Sequence, residues 1–95
     1  MYPEEVEEVL KRHDDVADAA VVGVPDERFG ESITALIEPE RGHAIDPAAL
    51  VAHVKAHLAG YKAPRRIITV DSIGRAPNGK LDYRALQARA RSFDG

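Results

Sequence analysis

The chain has 95 residues, 44% apolar and 31% charged, and no cysteine. That is room for one soluble domain with a modest core, and it excludes disulfides, thiolate metal sites and cysteine nucleophiles. No apolar run approaches the ~18 residues of a membrane span. The start, "MYPEEVEEVL", is acidic and unlike a signal or transit peptide, so a cytoplasmic location is the default expectation. Charge is unevenly spread: residues 1–50 hold four Lys/Arg against thirteen Asp/Glu, and residues 51–95 hold nine against three. A basic second half is suited to an anionic ligand or simply to a solvated face. Nucleic acid is not expected, because the basic residues are scattered and only 5% of the chain is aromatic, too little for base stacking.

The first predicted element is a helix opening at Pro3, with Glu4 and Glu5 in its first turn and Val6, Val9, Leu10 and His13 at helical spacing. Its glutamates Glu4, Glu5, Glu7 and Glu8 read as a helix start with an exposed face. "VADAAVVGV" (16–24) and "ESITALIE" (31–38) read as strands, with the loop "PDERFG" between them. After the turn region "RGHAIDP", Asp46 caps a second helix with Pro47 at its first position; Leu50, Val51, Val54 and Leu58 form its apolar stripe, and Gly60 ends it. "RRIITV" (65–70) is a third strand. Next comes "GRAPNGKL" (74–81), and "DYRALQARARS" is a C-terminal helix with Asp82 as its N-cap. The expected fold is α+β: a small, roughly three-stranded sheet with two helices on one face, plus a short hairpin and the last helix.

"GRAPNGKL" fits the phosphate-loop pattern G-x-x-x-x-G-K and then carries Leu81 where the Mg²⁺-binding hydroxyl should be. A true P-loop also sits in a large parallel α/β sheet, for which this chain has no room. Asn78-Gly79 is a strong two-residue hairpin signal, with Pro77 fixing the approach. On these residues alone, Lys80 is either a solvated turn lysine or one projected stiffly toward a ligand. His53 and His57 stand one turn apart on the second helix, but no third ligand at metal-site spacing accompanies them, so no metal site is expected.

Taken together, "YPEEVEEVL", "VADAAVVGVPDERFGE", "LAGYKAPRRI" and "PNGKLDYRAL" are more specific than any one alone. In this order and spacing they resemble the C-terminal domain of the adenylate-forming enzymes: acyl-CoA synthetases, peptide adenylation domains and luciferases. The resemblance covers about residues 1–92, and G-K-x-D-Y-R looks most like actinobacterial fatty-acid or steroid-side-chain CoA ligases. It implies that residues 1–95 are one mobile lid domain, working against a large N-terminal domain that binds ATP, Mg²⁺ and the carboxylic (fatty) acid. Alone, it is expected to be inactive.

The resemblance also assigns roles. Lys80 is the catalytic lysine of acyl-adenylate formation, and Gly79 lets the backbone approach closely. For the later thioester step, Tyr61 and Arg65 match positions near the CoA adenosine and phosphates, with Lys55 and Lys62 as weaker candidates. Ala63 stands where some relatives have a basic residue. Peptide adenylation domains end in N-G-K-x-D-R and usually read L-P-x-Y-M-x-P earlier. Lys62 and Tyr83 depart from both patterns and favour CoA over a carrier protein. The remaining alternative is a free-standing α+β binding module whose basic half is a partner surface.

Overall fold

The computed structural model describes residues 3–26, 30–58 and 63–92. The elements run α1 (Pro3–Lys11), β1 (Val16–Asp26), β2 (Gly30–Pro39), α2 (Pro47–His57), β3 (Arg66–Thr69) and α3 (Tyr83–Ser92). The strands form one sheet in the order β1-β2-β3. β1 and β2 are antiparallel, and β3 lies parallel to β2 after the crossover through α2. The α+β expectation is met.

The two helices expected on one face are α1 and α2. Val6, Val9 and Leu10 of α1 and Leu50 and Val54 of α2 pack on Ala19, Val21, Ala35 and Ile37. The third helix covers the opposite face, where Leu86 and Ala90 meet Ala20, Val22, Val24, Leu36 and Ile68. The domain is therefore a three-layer sandwich, and the near-continuous apolar run of β1 is what a strand covered on both sides requires.

The strand boundaries extend beyond the sequence expectation. Pro25 and Asp26 belong to β1, paired with Glu31 and Gly30; residues 27–29 between the strands lie outside the described residues. Pro25 is tolerated because β1 is an edge strand and residue 25 shares its outward edge with Val21 and Gly23, where a missing N–H breaks no ladder. β3 is shorter than expected at four residues. The N–H groups of Arg65 and Val70 on either side still donate to Ile33 and Ile37, at 2.8 and 2.9 Å.

Helix capping follows the sequence. Asp46 accepts from Ala48 N–H at 3.1 Å, and Asp82 accepts from Ala85 N–H at 3.1 Å. α2 closes at Leu58, whose N–H donates to Val54; Gly60, the expected stop, lies outside the described residues. His53 and His57 are occupied by backbone: His53 Nε2 meets the Val9 carbonyl at 2.7 Å, and His57 Nδ1 meets the His53 carbonyl at 2.8 Å. The first of these ties α2 to the open carbonyl end of α1.

Candidate functional site

The turn carrying Lys80 is a hairpin of a different type from the one the Asn-Gly pair predicts. Gly79 N–H donates to the Ala76 carbonyl at 2.8 Å, and Ala76 N–H donates to the Lys80 carbonyl at 3.0 Å. Gly79 has φ +83°, whereas no described non-glycine residue, Asn78 included, has positive φ. With Pro77 and Asn78 at the central positions, this is a type I turn closed by a left-handed glycine, not the mirror-image two-residue turn. Proline disfavours the two-residue turn, because Pro77 would flank the Asn-Gly pair and has no N–H to give the Lys80 carbonyl; Ala76 N–H makes that bond instead. The Asn78 side chain then accepts Lys80 N–H at 3.0 Å, fixing the start of the lysine.

Lys80 is exposed, and its ammonium has no partner among the described residues. It borders an open depression of about 370 Å³ beside Glu4, Glu8, Lys11 and Arg75. Leu81, next along the chain, is half-buried against the α3-side core and anchors the turn. A built Cβ at Gly79 meets nothing within 4 Å, so in this domain the glycine is demanded by its φ and not by crowding.

Four residues around this turn escaped the sequence reading. Arg75 forks onto Asp18, with Nε to Oδ2 at 2.6 Å and Nη2 to Oδ1 at 2.8 Å, while Nη1 donates to the Gly79 carbonyl at 2.8 Å. The bond from Arg75 holds the Asp18 carboxyl below its usual range. A register shift between Val16 and Asp18 marks a bulge at Ala17, the kind of irregularity that re-aims a side chain at a sheet rim. The signal was present, since Asp18 is the one charge inside an otherwise apolar strand sequence.

Glu7 corrects an expectation. It is 5% exposed, not part of a solvated acidic face. Its Oε2 accepts Val21 N–H at 2.8 Å, and Tyr83 O–H donates to both its oxygens at 3.0 Å. Burial pushes its carboxyl above the usual value despite these donors. Burial, and then Glu7 itself, push the Tyr83 hydroxyl up to about 12, so it stays a donor. The helical phase could have found this residue, because positions 3, 6, 7 and 10 share one face of α1.

The residues expected at CoA divide. Lys55 and Arg65 come together across an open groove of about 410 Å³, lined by Val51, Ala52 and Ile67 between α2 and β3. Both are exposed. Tyr61 and Lys62 lie outside the described residues. The groove and Lys80 occupy opposite edges of the sheet: Arg65 leads into β3, and the lysine turn is held to β1.

The three-layer fold is that of a known class of enzyme domains. The chain belongs to the AMP-binding enzyme C-terminal domain family, whose model matches residues 5–80 and ends on Lys80. It is 55% identical over 84 residues to a medium/long-chain-fatty-acid–CoA/3-oxocholest-4-en-26-oate–CoA ligase of Mycolicibacterium smegmatis, covering 88% of this chain and 15% of that protein. A ligase of the same name from Mycobacterium marinum is 50% identical over 96 residues, covering 99% of this chain and 18% of its own length. Among solved structures, an amide bond synthetase from Marinactinospora thermotolerans superposes with a TM-score of 0.87 at 42% identity, over 94% of this chain and 18% of that one. A fatty acyl CoA synthetase of Mycobacterium tuberculosis gives 0.84 at 32% identity, over 93% and 17%. The chain thus spans less than a fifth of the length of these relatives. The domain is one that acyl-CoA ligases carry.

Proposed function

We propose that the chain serves as the mobile C-terminal domain of an ATP-dependent fatty-acid–CoA ligase acting in the cytoplasm. In the first half-reaction a carboxylate oxygen of the acid attacks the α-phosphorus of ATP. The new O–P bond forms as the bond to pyrophosphate breaks, leaving acyl-AMP. Lys80 places its ammonium on the non-bridging oxygens of that phosphate, where negative charge crowds the transition state, and Gly79 keeps the approaching backbone narrow. In the second half-reaction the CoA sulfur attacks the acyl carbon and AMP leaves. Lys55 and Arg65, with Tyr61 and Lys62 from the adjoining segment, receive the CoA nucleotide and its phosphates. ATP, Mg²⁺ and the fatty acid are held by the N-terminal domain; among the described residues no three ligating side chains converge on a metal.

The observation that carries this reading is the separation of the two basic features. The lysine stands at the β1 edge and the basic groove at the β3 edge, so a rotation of the domain would bring them to a cleft in turn. A domain that turns between half-reactions uses each in its own step. The relatives' names support CoA as acceptor and a fatty or steroid-side-chain acid as substrate.

The test is Lys80→Ala in the full-length ligase carrying this domain. Acyl-adenylate formation, read as pyrophosphate release, is expected to fall by on the order of 10²-fold or more. Thioester formation from supplied acyl-AMP should be largely spared. Equal loss in both half-reactions would remove Lys80 from the role given it here.

A further inference from the structure

The segment that delivers Lys80 is held to the rest of the domain at very few points. Residues 74–80 are all exposed and contribute no side chain to either core. At one end Ile73 is buried, its N–H bonded to Glu38 Oε1 at 3.0 Å; at the other, Leu81 is half-buried. The bonds inside the hairpin, Ala76 to Lys80, Gly79 to Ala76 and Lys80 to Asn78, set its shape. They do not set where the hairpin stands relative to the sheet. A correctly shaped turn could still rock about its two anchors.

Among the described residues, Arg75 makes the one link from this segment to another element. Its guanidinium joins three acceptors at once: both oxygens of Asp18 and the carbonyl of Gly79, which belongs to the same peptide unit as the Lys80 N–H. Sheet, Asp18, Arg75 and the Gly79–Lys80 peptide therefore form one chain of short bonds ending at the lysine's backbone. The pair is partly exposed, Arg75 31% and Asp18 18%, and ion pairs of that kind contribute little to folding stability. Its geometric consequence is larger. A planar guanidinium fork fixes both distance and angle, which a flexible ammonium cannot do.

We propose that Arg75, clamped by Asp18, is a positioning residue that sets where the Lys80 ammonium arrives in the adenylation site. The proposal rests on the adenylation role of Lys80 given above. A misplacement of about 1 Å in a group that must meet a transition state can cost about 10²-fold in rate. Loosening one tether of a turn that keeps its own shape should cost less than that.

The experiment compares Arg75→Ala, Arg75→Lys, Asp18→Ala and the Arg75→Ala/Asp18→Ala double variant in the full-length ligase, with Lys80→Ala as reference. Adenylation is read as pyrophosphate release, thioester formation from supplied acyl-AMP, and folding as the thermal midpoint. Arg75→Ala should lower the adenylation kcat about tenfold, with KM for ATP and acid and the thioester step within about twofold of wild type. Asp18→Ala should fall in the same direction, and the double variant should be no slower than Arg75→Ala, because the two act as one link. Arg75→Lys can keep the ion pair but not the Gly79 bond, so it should recover activity only in part. Adenylation within about twofold of wild type in Arg75→Ala overturns the proposal, as does a parallel fall of both half-reactions with the thermal midpoint. If Lys80→Ala also leaves adenylation intact, the adenylation role fails with it. A sensitive Lys80 beside an indifferent Arg75 sinks the positioning role alone.

Discussion

Replacing Glu7 by Gln is expected to keep the fold and to remove one source of its pH dependence. The Glu7 carboxylate is buried, accepts Val21 N–H at 2.8 Å and receives the Tyr83 hydroxyl at 3.0 Å. Burial raises its pKa above the unfolded value of 4.5. Between 4.5 and that raised value, folding takes up a proton, so stability increases as pH falls through the window and is lower above it. Glutamine does not titrate, and its carbonyl oxygen can accept both donors. The melting temperature of Glu7→Gln minus that of wild type should therefore grow as pH rises above 4.5 and then level off. Asp18, whose pKa is lowered by Arg75, loses its stabilising effect only as pH falls below its ordinary value of 3.8. It is common to both proteins and cancels in the difference. Glu7→Ala leaves two donors without an acceptor, each worth about 1–1.5 kcal/mol, partly offset by relief of the buried charge, for a net loss of about 2 kcal/mol. For a domain of this size that is a fall of about 8–16 °C. Tyr83→Phe removes one donor and should cost about half as much. Circular-dichroism melts from about pH 4 to 8 decide the matter. Parallel curves for Glu7→Gln and wild type, or a Glu7→Ala no weaker than Glu7→Gln, would refute the reasoning.

Gly79→Ala meets open space but must adopt φ +83°, so it should destabilise the turn by about 1 kcal/mol and lower adenylation more than thioester formation. Asp82→Ala removes the cap that accepts Ala85 N–H and should cost about 1 kcal/mol, seen as a drop in melting temperature. Lys55→Ala and Arg65→Ala in the full-length ligase should raise KM for CoA by about tenfold together while leaving pyrophosphate release unchanged, measured in separate half-reaction assays.

Elements with a local cause were legible in the sequence. Asp46-Pro47 and Asp82 announce helices through bonds a few residues away, and the structure has those caps. The α1 stripe of Val6, Val9 and Leu10 is buried as its period requires. What was missed depends on contacts between distant parts of the chain. Arg75 and Asp18 are 57 positions apart, and Glu7 and Tyr83 are 76 apart. No spacing rule connects them until the sheet and α3 have brought them together. Glu7 was misread because four glutamates in five positions suggest solvent, although its phase on the helix points inward. The turn type was misread because an Asn-Gly hairpin also needs an N–H from the residue before the pair, and Pro77 has none.

The outer edge of β1 has a further consequence. Three of its outward backbone groups are taken by side chains: Ala19 N–H by Asp18, Val21 N–H by Glu7 and the Gly23 carbonyl by Gln87. The opposite edge, β3, is only four residues long. An open strand edge is a template on which a foreign strand can grow. Here one edge is partly occupied and the other is short. Removing the Glu7 side chain would therefore do more than unpair a buried donor: it would also open part of the β1 edge to a foreign strand.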